Sequence, residues 1–170
     1  MGLLRRVENR WSEAKVELER AIVLDRNNTW AIRQLGQALV FMGQPEAAIP
    51  HLDKVLRLNP REASLAVTYA FFGWIHIFLD HMDEAMNFFR KARAENPRLW
   101  YTHLWFAGAM GLRGDMDEAR TEIAESLRLK PELDSLARIR ALPSFGNPQL
   151  NALMEKTFYV GLRRAGFPDE

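Results

Sequence analysis

Apolar residues return along this chain with a helical period, and in a phrase that is written more than once. Met82–Pro97 reads MDEAMNFFRKARAENP, and 34 residues on Met116–Pro131 reads MDEARTEIAESLRLKP. Pro60, Pro97 and Pro131 close segments ending LRLNP, RAENP and LRLKP. Twelve residues before each proline stands an alanine, Ala48, Ala85 or Ala119. Apolar or small residues follow at i+4 (Leu52, Phe89, Ile123) and i+7 (Val55, Ala92, Ser126), which is one face of an amphipathic helix. Upstream, at a fixed offset, sit the small residues Gly36, Gly73 and Ala107, each preceded by a large apolar one. Turn signals GQP, LDHMD and GDMD separate the two halves of each unit. The pattern predicts three helix-turn-helix pairs whose small residues let the two helices of a pair approach closely, with a proline ending each second helix. Pro50, early in a second helix, removes a backbone donor and marks an expected kink.

A period of this length, with large apolar, Gly, Ala and Pro positions at set intervals, resembles the tetratricopeptide repeat. The resemblance covers 29–62, 66–99 and 100–133, with Ala63 to Leu65 as an insertion. It implies an all-α fold, a right-handed superhelix of antiparallel helix pairs closed by a C-terminal capping helix. The aromatic that the family places after the glycine is replaced here by Leu39, His76 and Met110. The same spacing laid one unit upstream finds Ala14, Leu18 and Ala21, with Arg26 at the proline position and Gly2 at the small one, so residues 1–28 read as a truncated first repeat. Terminal repeats need capping. The expectation is therefore a fragment of a longer protein with a fraying first helix.

Beyond Pro131 the phrase gives way to a tail, 134–170. A short helix is predicted over about Leu133 to Ala141, stopped by Pro143. PSFGNP reads as a loop. A second helix is predicted from about Pro148 to Arg164, with Leu150, Leu153, Met154, Phe158 and Leu162 on one stripe. The final phrase YVGLRRAGFPDE resembles the ending of many bacterial class III adenylate or guanylate cyclases that carry tetratricopeptide repeats after the catalytic domain. That resemblance implies the C-terminal sensory or scaffolding region of such a signalling protein. The cyclase core itself needs strands that position metal-binding aspartates, and no alternating strand pattern is present. Catalysis is not expected.

Lysine plus arginine (23) nearly cancels aspartate plus glutamate (22), for a net charge of +1, so a nucleic-acid partner is not expected. Zero cysteines exclude a disulfide framework and thiolate metal sites and fit a reducing compartment, with a cytoplasmic location expected. The most apolar run, Val67 to Leu79, is 13 residues against the roughly 20 of a membrane-spanning helix, so membrane insertion is not expected. His51, His76, His81 and His103 lack the i, i+4 pairing and third ligand of a metal site. The glycines of GAMGLRG, Gly108 to Gly114, neither follow a strand nor end in Gly-Lys-Ser/Thr, so they are assigned to close helix contact and a turn. No cofactor or metal is expected. RKARAE and DEARTE read as solvated outer faces.

Function is then sought on the concave face, which the family's geometry lines with the first helix of each pair. The candidate protein-binding groove comprises Trp30, Arg33, Gln37, Phe41, Val67, Phe71, Trp74, Phe78, Tyr101, Leu104 and Trp105, with Ala70 and Gly108 among them. Trp30, Trp74 and Tyr101 are expected to face the groove as aromatic anchors. Phe71, Phe72 and Trp105 are expected in the core between repeats. Arg33 alone can pair with a carboxylate there. An apolar face this wide needs a cover: the chain's own helix Pro148 to Arg164, a second copy, or a protein or peptide segment. The rival readings are a structural spacer whose groove is filled by its own C-terminal helix and a free-standing repeat adaptor.

Overall fold

The computed structural model describes residues 10–61 and 64–170. The opening helix of the truncated first repeat, with Gly2, and Ala63 of the insertion lie outside the described residues. Within them the chain is all helical: α1 (Trp11–Leu24), α2 (Thr29–Phe41), α3 (Pro45–Leu58), α4 (Leu65–Phe78), α5 (Met82–Glu95), α6 (Trp100–Arg113), α7 (Met116–Leu129), α8 (Leu136–Arg140), a 3-10 turn at Pro143–Phe145, α9 (Pro148–Lys156) and α10 (Phe158–Arg164).

Helices α2/α3, α4/α5 and α6/α7 are antiparallel pairs stacked in chain order. The i, i+4, i+7 face is what α3 and α5 bury, as Ala48, Leu52 and Val55 and as Ala85, Phe89 and Ala92. Large residues on the second helix fill the space left at the small residue of the first; a side chain at Gly73 would collide with the Phe89 ring. The second helices stop at Leu58, Glu95 and Leu129, just short of the three prolines, and Gly114 ends α6 in the left-handed conformation (φ 101°). Asn28 caps α2, its side chain accepting from the Ala31 N–H at 2.9 Å. Helix α3 runs uninterrupted through Pro50, which is solvent-exposed in its second turn.

The tail departs from the sequence expectation in two places. The first tail helix is shorter, beginning at Leu136 behind Ser135, whose hydroxyl accepts from Arg138 N–H. The second is two helices, because Thr157 leaves helical geometry (φ −129°, ψ −88°) while its hydroxyl donates to the Leu153 carbonyl at 2.7 Å. The break lets the tail bend across the ends of the first helices. At one end Gln149 and Leu150 of α9 lie against Gly43, after α2; at the other α10 packs on α6 through Gly108, Gly111 and Gly161. The chain end folds back on α8, with Leu136 and Ala137 N–H donating to the carbonyls of Pro168 and Asp169 at 2.9 Å each.

Candidate functional site

A ladder of aromatic rings runs from α1 across the first helices α2, α4 and α6. Trp11 stacks on Phe41 (4.7 Å between centroids), Phe41 meets Phe71 and Trp74 edge-on at 5.7 Å, and Trp74 stacks on Trp105 at 4.4 Å, 10° from parallel. Tyr101 continues the series at 4.9 Å from Trp105. Offset and edge contacts of this kind stabilise a packed face beyond the area they bury. The ladder is therefore a floor of packed rings at the seam between repeats.

A cavity of about 330 Å³ opens on that floor. Seven of the candidate groove residues line it: Arg33, Gln37, Phe41, Val67, Phe71, Tyr101 and Trp105. Trp30 is on the surface (46 % exposed) but outside this lining, and Phe78 packs on Trp74 at 5.1 Å. Leu104 is core. The expectation that Trp74 faces an open groove is corrected: it is 0 % exposed, enclosed by Phe41, Phe71, Phe78, Trp105 and Phe145. Its physical reason is the density of large rings on α2, α4 and α6, which close over one another once the helices stack. Among the described residues Arg33 is the only charged side chain in the lining; its guanidinium donates to the Ser64 hydroxyl.

The remaining wall comes from the tail, through Leu142, Ser144 and Phe145. Phe145 is 4 % exposed, with its ring 5.9 Å from both Phe41 and Trp74. Sequence reasoning missed this residue, along with Gln34, Ser64 and Trp100. Its one available signal was that Phe145 is the sole large apolar residue of PSFGNP. The aromatic floor is thus covered by the Phe145 side chain, and α10 lies on α6 at Gly108 and Gly111, at one end of the candidate face.

A second cluster lies between α5, α6 and α7. Glu122, 6 % exposed, accepts from Arg93 and from His103 Nδ1, and His103 Nε2 donates to the Pro97 carbonyl at 2.9 Å. DEARTE is therefore not wholly a solvated face; its last residue is buried against an inter-repeat histidine. Both ring nitrogens of His103 point at acceptors, which only the imidazolium can satisfy. Burial opposes that charge, but the bonds to Glu122 and to the Pro97 carbonyl outweigh it and raise the His103 pKa above its ordinary value. His76 moves the other way: burial, against the field of Glu84, lowers its pKa. Among the described residues no three histidine or carboxylate side chains are grouped so as to hold a metal, and no helix is long and apolar enough to cross a membrane.

Stacked antiparallel pairs with these small-residue contacts define a helical-repeat solenoid. The family model described as tetratricopeptide repeat matches residues 34–62 and 66–97, and the chain carries tetratricopeptide repeats there. Solved structures share the fold over nearly the whole chain. The crystal structure of MamA matches at 19 % identity and a TM-score of 0.64, covering 96 % of this chain and 94 % of that one. TTC0263, a thermophilic TPR protein of Thermus thermophilus, matches at 19 % identity and 0.68, covering 96 % and 88 %. YrrB, described as a TPR protein with an unusual peptide-binding site, matches at 16 % identity and 0.59, covering 96 % and 82 %. No curated protein matches the chain.

Proposed function

We propose that this chain is a non-catalytic interaction scaffold that binds a protein or peptide segment, or a second copy of itself, on its concave face. The observation that carries this reading is the cavity of about 330 Å³ left open beside Phe145, with an aromatic floor and the Arg33 cation in its wall. Its size suits one or two anchoring side chains rather than a whole helix, and aromatic walls with a buried cation are where interface energy concentrates. Trp30, Phe78 and Tyr101 extend the candidate surface from that cavity, while Trp74 and Leu104 support it from below. YrrB, a fold neighbour described by a peptide-binding site, adds weight to the peptide reading.

The finer setting, the C-terminal scaffolding region of a bacterial cytoplasmic signalling protein such as an adenylate cyclase, rests on the YVGLRRAGFPDE phrase. The cap gives that phrase packing duties too: Gly161 seats α10 on α6, Arg163 pairs with Glu155 and Asp169, and Phe167 is buried. A separately produced class III catalytic domain that neither binds this chain nor changes its rate with it counts against the cyclase setting.

The concave-face reading is tested by affinity capture with the whole chain, a Tyr101→Arg variant and an Arg120→Glu variant on the outer surface of α7. Tyr101 is half-buried at the cavity edge, so arginine there alters the surface without emptying the core. Loss of partner with Tyr101→Arg and retention with Arg120→Glu is expected. Equal capture by both variants rejects the concave face.

The spacer reading is favoured by the burial of Phe145 on the floor and by the seat of α10 on α6 at Gly108. It predicts no capture by any of the three chains.

A further inference from the structure

Phe145 occupies the concave floor as a ligand side chain would. It is buried edge-on against Phe41 and Trp74, yet the loop that carries it, 141–147, makes no hydrogen bond to α2, α4 or α6 among the described residues. Its hydrogen bonds run within the loop and to the helices at its ends. The Phe145 N–H returns to the Leu142 carbonyl at 2.9 Å, and the Asn147 side chain accepts from Gln149 and Leu150 N–H at the start of α9. The stretch ALPSFGNP is uncharged throughout.

Both flanks are held more firmly than the loop. Arg140 at the end of α8 pairs with Glu155 of α9 at 2.5 Å, and the chain end is hydrogen-bonded to the start of α8. A short tether between anchored helices therefore lies on the face through apolar side chains alone. That contact is non-directional, and water or another apolar group replaces it without leaving a buried donor or acceptor unpaired.

We infer that loop 141–147 is a tethered occupant of the binding face, and that a partner binds by exchanging its own aromatic side chain for Phe145. The inference rests on the concave-face reading and names the partner's chemistry: a short, uncharged, irregular segment with a phenylalanine-like anchor. The cavity beside the loop, walled by Arg33, Trp100 and Tyr101 opposite Leu142 and Ser144, is the space into which such a segment extends. Apparent affinity for it is reduced by the fraction of time the seat is taken, so removing the resident ring raises affinity about ten- to a hundredfold.

The test uses the whole chain and a synthetic peptide of sequence ALPSFGNP, blocked at both ends and carrying 4-fluorophenylalanine, followed by fluorine NMR. The Phe145→Ser variant is expected to bind it at least about tenfold more tightly than the unmutated chain, and a peptide with serine in place of its phenylalanine to bind neither. Equal binding to both chains, or none to a variant that keeps its helicity, overturns the inference. Should Phe145→Ser fail to fold, the unmutated chain decides through hydrogen exchange of the Trp74 indole N–H, which is fully buried and has no hydrogen-bond partner. Exchange insensitive to low urea reports a local opening of the loop, as expected; exchange that tracks global unfolding overturns the inference. The two failures are distinguishable. A chain capturing nothing through Tyr101 sinks the proposed function and the exchange with it, whereas a loop that never opens beside a Tyr101-dependent partner sinks the tethered occupant alone.

Discussion

Replacing Gly161 with alanine tests whether the tail is seated as described. Gly161 faces α6 at the level of Gly108, and a Cβ added there would lie 2.8 Å from the Gly108 carbonyl carbon and 3.0 Å from Leu112 Cγ, and nearer still to the Gly108 carbonyl oxygen. The first obstacle is backbone inside a helix, which cannot rotate aside, so α10 must back away. Phe158, Tyr159 and Leu162, all fully buried, move with it. Overpacking of this kind costs up to about 3 kcal/mol, while alanine in place of glycine returns up to about 1 kcal/mol of helix propensity. The net expectation is a loss of about 2 kcal/mol, a fall in Tm of about 4–8 °C for a chain of this size. Urea and thermal unfolding followed by circular dichroism measure it. A neutral or stabilising Gly161→Ala, the result for a glycine on an open helix surface, refutes the α6–α10 seam.

Three further outcomes follow from the same geometry. His103→Ala leaves Glu122 with Arg93 as its remaining partner and costs about 3 kcal/mol, the low end for breaking a buried pair. Because the folded His103 pKa is raised, its contribution is full below the unfolded value of about 6.5 and is lost as pH rises through the folded value, so the gap between wild-type and variant urea midpoints narrows as pH rises above about 6.5; a gap that widens refutes the imidazolium. Asn28→Ala removes the cap of α2 and lowers stability by about 1 kcal/mol, with Asn28→Gly costing less, both read by urea unfolding. Deleting 146–170 strips the glycine seam of α6 and the hydrogen bonds to α8, and light scattering should then show aggregation; a folded monomer would mean that the tail is dispensable.

How much could be read from the chain depends on whether periodicity governs the feature. The paired helices follow from spacing that repeats, since each unit must bury the same stripe against the same neighbours. The glycines of GAMGLRG were legible as well, because no phosphate-binding context surrounds them: Gly108 and Gly111 admit α10, and Gly114 makes the turn. Depth within the stack was not legible. Trp74 stands at a concave position by register, yet its exposure depends on how far Phe41, Phe71 and Trp105 lean over it, which a repeat phrase does not encode. Glu122 sits in a charge-rich phrase and looks solvated until His103, from another helix, is brought against it. Phe145 belongs to no period at all. Its place on the floor is set by the bend at Thr157 and the return of the tail to Gly43, both products of tertiary packing.

The most direct measurement of the central claim is site-specific photo-crosslinking, with benzoylphenylalanine placed in the whole chain either at Tyr101, on the concave edge, or at Arg120, on the outer surface of α7. The account predicts adducts to a partner chain or a second copy from position 101 and none from position 120. Adducts from position 120 alone would place the interaction on the opposite side of the solenoid and contradict the account.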